Sequence, residues 1–361
     1  MSSHSADIII VGGGILGLSV AMQLSQQVPH QKILLLEKES ELAFHQTGHN
    51  SGVIHSGIYY SPNSLKARFS RRGAAQLLHF CQERGIEVQV CGKIILATRS
   101  QEIPLLQELF RRSQANGIQK VRQISPEEIR EIEPEAAGKL ALHLPSVSIV
   151  DFRQVAHAYA DSFRQQGGQI ETACHVQNIT RTANQFQLST SQGERTAIQL
   201  INCAGLYADR LAALPKEARI IPFRGEYYRL STNASNKIRG LIYPVPDPRF
   251  PFLGVHLTRT IHGAVEAGPN AILALSREGY RWSDIQARDC WEMLTYIGFW
   301  RMTRRHVSTG VQEMARSMSK TLFLRSLQRL VPSLKQEDLA RPGSGVRAQA
   351  VGGDGQLLDD F

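Results

Sequence analysis

The first forty residues contain a glycine pattern that is typical of dinucleotide binding. Gly12, Gly14 and Gly17 form a G-x-G-x-x-G motif between two apolar runs. The first glycine allows a tight turn, the second lets the backbone approach a pyrophosphate, and the third lets a helix pack closely on a strand. Glu37 follows twenty residues after Gly17, where its carboxylate can accept hydrogen bonds from both ribose hydroxyls of an adenosine. The pattern predicts a dinucleotide site, and the alternative is an ordinary glycine turn in an α/β protein.

A run of small polar residues at 45–60 narrows the choice of dinucleotide. Glu37 at the end of the second strand, instead of an arginine, disfavours a 2′-phosphate and leaves FAD and NAD. Flavoproteins use such a run to wrap the pyrophosphate and to approach the isoalloxazine ring, whereas nicotinamide dehydrogenases generally lack one. The candidate cofactor-binding residues in it are Thr47, Gly48, Asn50 and Ser51. A second small-residue turn, at Ala204 and Gly205, is predicted to close over the cofactor. We therefore expect FAD.

Rarer strings along almost the whole chain carry a family resemblance. They include Pro-Phe-Arg-Gly-Glu-Tyr-Tyr at 222–228 and Gly-Val-Arg-Ala-Gln at 345–349. The full set comprises residues 46–60, 64–67, 222–228, 243–248, 251–259, 268–271 and 345–349. On these stretches the chain resembles the D-amino-acid-oxidase-like FAD oxidoreductases and, more narrowly, the L-2-hydroxyglutarate dehydrogenases, also called oxidases. The resemblance implies an α/β fold with a Rossmann-like FAD-binding domain and a second, mixed-sheet substrate domain. It also implies oxidation of L-2-hydroxyglutarate to 2-oxoglutarate, with electrons passing to a quinone or another acceptor.

Oxidation of a 2-hydroxy acid requires a group that accepts the hydroxyl proton. Histidine suits this role because it titrates near neutrality. Of the twelve histidines, His55 lies in the flavin-wrapping run and His256 lies in Gly-Val-His-Leu on an expected strand. Both histidines are candidates for the base, and the sequence does not show which of the two takes the proton. The alternative is that they are buried histidines that hydrogen-bond to the backbone.

Cations must also hold the substrate carboxylates, and a guanidinium suits bidentate binding better than a lysine does. Arg347 is expected to bind the C1 carboxylate, because its position matches the substrate arginine of the amino-acid-oxidase relatives. Arg224 and Arg259 are the candidates for the distal carboxylate, with a surface salt bridge or a helix cap as the alternative. Tyr60 is expected either to line the pocket or to lie in the core. No His, Asp or Glu cluster has metal-ligand spacing, so no metal is expected.

The length of 361 residues predicts about two domains. We expect a discontinuous FAD-binding domain and a substrate domain with a mixed sheet. The FAD-binding domain comprises residues 1–85, 148–220 and 341–361, and the substrate domain comprises residues 86–147 and 221–340. Strands of the mixed sheet are predicted at residues 92–98, 226–230 and 271–275.

Residues 281–340 form a basic helical segment within the substrate domain. Residues 281–341 hold 11 Lys and Arg against 6 Asp and Glu, and all three tryptophans of the chain. The apolar residues Phe323, Leu327 and Leu330 fall on one helix face. A basic amphipathic helix with aromatic residues is typical of helices that lie on an anionic membrane. The alternative is a helical layer with its aromatic residues in the core and a solvated basic face.

The overall composition restricts the function and the location. The formal net charge of +9 is compatible with nucleic acid, an anionic membrane or acidic substrates. We expect no nucleic-acid partner, because no recognition module accompanies the basic residues. Five cysteines without a CxxC pair favour a reducing compartment. The sequence lacks the pattern of a signal peptide or a membrane span. We therefore predict a cytoplasmic protein, which is either peripheral on the inner face of the cytoplasmic membrane or not associated with it.

Three alternatives stay open at this point. The first is another flavin oxidoreductase of the same fold, acting on glycerol 3-phosphate or an amino acid. The second is a nucleic-acid-binding flavoprotein, which only the net charge favours. The third is a flavin-free or inactive form, because relatives continue beyond the stretch that matches residues 357–361. The expectation from that comparison is weak FAD binding and poor turnover.

Overall fold

The structure is a computed structural model that describes residues 4–212, 218–247, 253–358 and 360. Several sequence predictions therefore extend beyond the described residues. They concern residues 213–217 of the FAD-binding part, residues 248 and 251–252 of the family strings, and residues 359 and 361 at the end of the chain.

The described residues form strands and helices that alternate over most of the chain. The strands are β1 (His4–Val11), β2 (Ile33–Leu36), β3 (Val53–Ile54), β4 (Val88–Val90), β5 (Lys93–Ala97), β6 (Arg122–Ile124), β7 (Leu140–Leu144), β8 (Ser148–Val150), β9 (Gln169–Glu171), β10 (Val176–Arg181), β11 (Phe186–Thr190), β12 (Gly193–Asn202), β13 (Ala218–Leu230), β14 (Leu241–Pro244), β15 (His256–Arg259), β16 (Val265–Gly268), β17 (Ile272–Leu273) and β18 (Leu339–Gly352). The α-helices are α1 (Ile15–Gln27), α2 (Leu65–Arg84), α3 (Ile103–Ala115), α4 (Pro126–Ile132), α5 (Phe152–Gln165), α6 (Ala208–Leu211), α7 (Thr232–Ser235), α8 (Ala287–Leu294), α9 (Ile297–Met318) and α10 (Lys320–Gln328).

A six-stranded sheet holds the glycine motif. Its order is β10-β11-β12-β1-β2-β9, and β12, β1, β2 and β9 run parallel to one another. The central strands are apolar on both faces, as expected for a parallel sheet that is covered on both sides. Helices α1 and α5 pack against each other on one face, where Leu18 and Phe163 are fully buried. This arrangement confirms the strand–helix–strand unit around the glycine motif.

A nine-stranded mixed sheet forms the second layer. Its order is β17-β13-β16-β15-β14-β5-β7-β6, and β18 pairs with β13. The strands predicted at 92–98, 226–230 and 271–275 correspond to β5, the end of β13 and β17. Residues 341–352, which the sequence placed with the FAD-binding domain, lie in β18 and therefore belong to this sheet. β18 belongs to this sheet because it pairs antiparallel with β13 along almost the whole length of both strands.

The segment between β2 and α2 connects the two larger sheets. Its strand β3 pairs with β8 and thereby joins a small three-stranded sheet, β3-β8-β4. Val53 and Ile54 are both buried, so they anchor the preceding small polar residues. The polar run is therefore held between the six-stranded and the nine-stranded sheet.

The structure bears on the two interpretations of the basic helical segment, and α10 agrees with the second of them, a helical layer packed on the core. The apolar face of α10 is buried, because Phe323, Leu327 and Leu330 belong to the core beneath the nine-stranded sheet. This face of α10 is therefore not available to a membrane. The exposed aromatic residues lie instead on α8 and α9, where Trp291 is 70% exposed and Trp300 is 52% exposed.

Candidate active site

The glycine motif forms a tight turn at the N-terminus of α1. Gly12 has a φ of +114°, and its N–H donates to Leu36 O at 2.8 Å. The first helical N–H, that of Ile15, donates to Thr47 Oγ1 at 2.9 Å. The first turn of α1 contains no acidic residue. The N-terminal end of α1 thus carries partial positive charge, which favours an anionic group such as a phosphate.

Glu37 lies at the carboxyl end of β2, beside this turn. Its side chain is buried, and Oε2 accepts a hydrogen bond from Gly13 N at 2.6 Å. Oε1 accepts a second hydrogen bond from Glu39 N at 2.9 Å. These two bonds hold the carboxylate at the edge of the glycine turn, which is the location that the sequence predicts for a ribose ligand.

The polar run wraps back toward the same turn. Asn50 Nδ2 donates to Thr47 O at 2.6 Å, and Asn50 Oδ1 accepts from Gly52 N at 2.8 Å. A Cβ atom at Gly48 would lie 2.5 Å from Arg153 Nε and 2.7 Å from the backbone oxygen of Ala43, so a larger residue would displace both the guanidinium and the backbone. Arg153 was not predictable as a neighbour of this run, because it lies about a hundred positions away in the chain.

The second small-residue turn meets the polar run from the other side. After β12, Asn202 Oδ1 accepts from Ala204 N at 3.1 Å and shapes the turn. Gly205 has a φ of +53°, and a Cβ atom there would lie 3.1 Å from Gln46 Oε1. The two glycine-containing segments therefore approach each other closely, as the sequence predicts for a cofactor cradle. Backbone amides, a buried carboxylate and a helix N-terminus together fit a dinucleotide cofactor.

A cavity of about 830 Å³ extends from the polar run to the nine-stranded sheet. It brings together side chains from separate parts of the chain. Of the predicted site residues, those that line it are Asn50, Ser51, His55, Tyr60, Arg224, His256 and Arg347. The cavity volume lies within the range of small-molecule sites, and its position between two structural layers is typical of such sites.

His256 is the more buried of the two candidate bases. Its side chain is 5% exposed, and its ring stacks on Tyr243 with 3.9 Å between centroids. Nδ1 lies 2.8 Å from Gly254 O, and because a carbonyl only accepts, Nδ1 donates and Nε2 carries the lone pair of the neutral ring. Burial, together with the nearby Lys93, lowers the pKa of His256 to about 3. The imidazole is therefore neutral at physiological pH.

His55 faces the cavity more openly. Its imidazole is accessible from the cavity although protein surrounds that cavity on most sides. Burial, Lys93 and His256 lower the pKa of His55 to about 3. A neutral ring that is open to the cavity has an unprotonated nitrogen, which can accept a hydrogen bond from a bound molecule.

The structure separates the three candidate arginines. Arg347 lies on β18 opposite Phe223, and its side chain is exposed into the cavity. Arg224 lines the cavity but is 3% exposed, and its Nη1 donates to Arg281 O at 2.6 Å while Nη2 lies 3.4 Å from Glu226 Oε1. The guanidinium of Arg224 is therefore engaged with the protein on two sides.

Arg259 is not part of the cavity lining, which corrects the sequence prediction. Along β15 the side chains alternate, and His256 points into the cavity three positions before Arg259. Residues an odd number of positions apart in a strand lie on opposite faces of the sheet. Arg259 accordingly donates from Nη1 to Ile238 O at 3.0 Å, on the other face.

Tyr60 lines the cavity, which is the first of the two locations predicted for it.

The cavity is also lined by three residues that were not among the predicted site residues, namely Lys93, Tyr59 and Tyr243. Lys93 begins β5, all five residues of which are buried. A lysine inside an otherwise apolar strand (Lys-Ile-Ile-Leu-Ala) is the signal that identifies it, because lysine is almost never fully buried without a partner.

A separate polar cluster lies beside the glycine turn. Glu39, His45 and Glu278 place their ligand atoms within 4.8 Å of one another, which is close enough for a metal ion. The Lys38 ammonium, however, forms ion pairs with both carboxylates. Lys38 thus supplies the positive charge that a cation would otherwise bring to this cluster.

Comparison with known proteins places this geometry in a family. The family model described as "FAD dependent oxidoreductase" matches residues 7–360. The chain is 45% identical to the L-2-hydroxyglutarate dehydrogenase of Indibacter alkaliphilus, over 98% of this chain and 90% of that protein. It is 46% identical to the L-2-hydroxyglutarate dehydrogenase of Escherichia coli strain K12, over 98% of this chain and 85% of that protein. It is 43% identical to the mitochondrial L-2-hydroxyglutarate dehydrogenase of Homo sapiens, over 100% of this chain and 81% of that protein.

Solved structures share the fold at lower identity. The L-alpha-glycerophosphate oxidase of Mycoplasma pneumoniae, solved with FAD bound, is 23% identical and superposes with a TM-score of 0.75, over 96% of this chain and 83% of that chain. The glycine oxidase of Geobacillus kaustophilus is 18% identical, with a TM-score of 0.72 over 98% of this chain and 85% of that chain. At these identities the likeness concerns the fold alone.

Proposed function

Because this chain belongs to the FAD-dependent oxidoreductase family and, within it, to the L-2-hydroxyglutarate dehydrogenases, we propose that it oxidises L-2-hydroxyglutarate to 2-oxoglutarate. Family membership confirms the fold class and the FAD cofactor that the sequence predicted. The main support for the proposed reaction is that His55, His256 and Arg347 line the same cavity. A neutral base and a guanidinium are the two groups that oxidation of a 2-hydroxy acid needs from the protein.

The residues of the glycine turn fit the dinucleotide part of FAD. The N-terminus of α1 and the turn with Gly12, Gly14 and Gly17 bind the pyrophosphate. Glu37 binds the adenosine ribose, and the support is its buried carboxylate beside Gly13. The remaining cradle is formed by Thr47, Gly48, Asn50, Ser51, Ala204 and Gly205. FAD, when bound, supplies the oxidant for the electron pair that leaves C2 of the substrate.

The cavity residues bind and orient the substrate. Arg347 holds the C1 carboxylate through a bidentate contact, and its open position in the cavity supports this role. His55 accepts the hydroxyl proton, because its imidazole is neutral and open to the cavity. His256 is more buried, and its Nδ1 hydrogen bond to Gly254 O and its stacking on Tyr243 fix one wall of the cavity. Tyr60 closes one wall of the cavity.

The substrate assignment is tested by anaerobic reduction of the purified holoenzyme. We expect the flavin absorbance to bleach with L-2-hydroxyglutarate and much less with the D enantiomer or L-lactate. Two carboxylate contacts determine which face of C2 meets the flavin, and lactate lacks the distal anion. Equal rates with all three compounds, or faster bleaching with glycerol 3-phosphate or an amino acid, would refute the assignment.

We propose further that the electrons pass to a membrane quinone or a similar acceptor, at a membrane surface that α8 and α9 contact. Within the part of the chain that the structure describes, no helix is both long and apolar enough to cross a bilayer. Trp291, Ile297 and Trp300 are exposed, and Arg301 and Arg304 lie beside them on α9. Exposed tryptophans next to arginines are typical of surfaces that insert shallowly between anionic lipids.

Vesicle co-sedimentation tests this surface. We expect binding to vesicles that contain phosphatidylglycerol, weaker binding at high salt, and little binding to pure phosphatidylcholine. The double variant Trp291→Ala/Trp300→Ala should lose binding, whereas Phe69→Ala, which removes an exposed aromatic residue from α2, should retain it. Binding that depends on neither salt nor lipid charge, or that survives the double variant, would contradict the proposal.

A further inference from the structure

The cavity contains a buried amine whose chemistry the proposed reaction does not yet use. Lys93 is 3% exposed, and its Nζ lies 3.6 Å from the ring centroid of Tyr243 and 4.5 Å from that of Tyr59. Among the residues that the structure describes, no carboxylate lies within ion-pair distance of this amine. A buried ammonium without an anionic partner is unfavourable, and burial lowers the pKa of Lys93 well below its ordinary value.

A second donor beside Lys93 also lacks an acceptor. Tyr59 Oη is buried and has no hydrogen-bond partner in the described part of the chain. Buried hydroxyl groups are nearly always hydrogen-bonded, and an exception marks a place where a ligand can supply the partner. The amine and the hydroxyl lie at the same cavity, so one carboxylate can accept from both.

Neither of the two arginines that the sequence predicts for the distal carboxylate provides such a site. Arg259 lies on the opposite face of β15, and Arg224 is engaged by Arg281 O and Glu226. Arg347 is assigned to the C1 carboxylate. A substrate with two carboxylates therefore requires one more cation. Of the other cations that line the cavity, Arg112 pairs with Glu108 and Lys66 is only partly buried, whereas Lys93 is buried beside Tyr59.

We propose that Lys93 and Tyr59 form the subsite for the distal carboxylate and thereby select a 2-hydroxy dicarboxylate over a monocarboxylate. This inference rests on the proposed function, because it assumes a 2-hydroxy acid in the cavity. The distal carboxylate completes the ion pair and the hydrogen bond that the protein leaves open. A monocarboxylate leaves Lys93 and Tyr59 without an acceptor, so it binds in the same cavity at a cost.

The test compares two five-carbon substrates that differ only in the distal group. For the holoenzyme and its variants, kcat/KM is measured for L-2-hydroxyglutarate and for L-2-hydroxyvalerate. Lys93→Met, which keeps the length of the side chain, should lower kcat/KM for the dicarboxylate by about 100-fold or more. The same variant should lower kcat/KM for the monocarboxylate by a factor at least about tenfold smaller than for the dicarboxylate. Tyr59→Phe should lower the preference for the dicarboxylate by about tenfold. Lys139→Met, which removes an exposed lysine that donates to Ser100, should not change the preference.

Equilibrium binding separates this inference from the proposed reaction. Glutarate, which cannot be oxidised at C2, should perturb the flavin spectrum with a Kd that Lys93→Met raises much more than it raises the Kd of butyrate. This measurement decides the subsite even if the enzyme oxidises neither hydroxy acid, which would refute the proposed function alone. The subsite assignment would be overturned if the variants kept native flavin content and thermal stability but lost kcat/KM equally for both substrates and affinity equally for both ligands. An unchanged preference in Lys93→Met and in a second variant, Lys93→Gln, would overturn it as well.

Discussion

A single methyl group at Gly345 should damage the junction between β18 and the cofactor-binding run. A Cβ atom there would lie 2.7 Å from His49 O, whereas ordinary contact begins at about 3.4 Å. In Gly345→Ala, the strand and the His49 backbone must therefore separate by about 0.7 Å. Gly343, two positions earlier in the same strand, has no atom within 4 Å of an added Cβ. Gly343→Ala is therefore a matched control for the same substitution.

The steric clash with His49 O determines the difference in stability between the two variants. Alanine is favoured over glycine in a strand by roughly 0.5–1 kcal/mol, and both variants gain this. Overpacking costs about 1–3 kcal/mol and applies only to Gly345→Ala. The midpoint of thermal unfolding should therefore be about 1–4 °C lower for Gly345→Ala than for Gly343→Ala, because the unfolding entropy of a 361-residue chain is large. Because His49 adjoins the cofactor-binding residues, bound FAD per chain after gel filtration should also fall only in Gly345→Ala. Equal unfolding midpoints and equal FAD content would refute this reasoning.

Three further predictions concern individual side chains. Arg347→Ala should lower kcat/KM for L-2-hydroxyglutarate by about 30- to 1000-fold in steady-state kinetics, whereas Arg259→Ala should change it little, and similar losses in both would contradict the assignment. Glu37→Ala should reduce the FAD retained through gel filtration without changing substrate preference in the residual holoenzyme, and full retention would remove Glu37 from the cofactor site. The lowered pKa of His256 means that the unfolded chain binds a proton more readily between pH 6.5 and pH 3. The free energy of unfolding should therefore fall with decreasing pH in this range, by at most about 1.4 kcal/mol per pH unit from this residue. Urea unfolding of His256→Asn should show a smaller slope with pH, and an identical slope would refute the prediction.

Features that depend on neighbouring residues were predictable from the sequence alone. The turn with Gly12, Gly14 and Gly17, the following helix and the acidic residue after β2 all lie within forty residues. Their geometry depends on local backbone sterics and on packing within one strand–helix–strand unit, so their spacing is enough to identify them. The capping box at Ser125 and Glu128, which begins α4, is local in the same sense.

The cavity depended on contacts between distant parts of the chain. Arg259 and His256 lie in one strand, but the sheet turns the first away from the cavity and the second into it. Alternation of side chains predicts that two such residues face opposite ways, but which face meets a cavity depends on what packs against the sheet. The environment of Lys93 was still harder to predict from the sequence. It depends on the rings of Tyr59 and Tyr243, and Tyr243 lies 150 positions away in the chain.

The sequence by itself thus determined the family and the cofactor. The tertiary structure decided that β18 pairs with β13 in the nine-stranded sheet, that the apolar face of α10 is buried, and that Lys93 lines the cavity. The physical reason is that local backbone preferences act over a few residues. The direction, burial and charge environment of a side chain are determined by elements that meet only when the chain has folded.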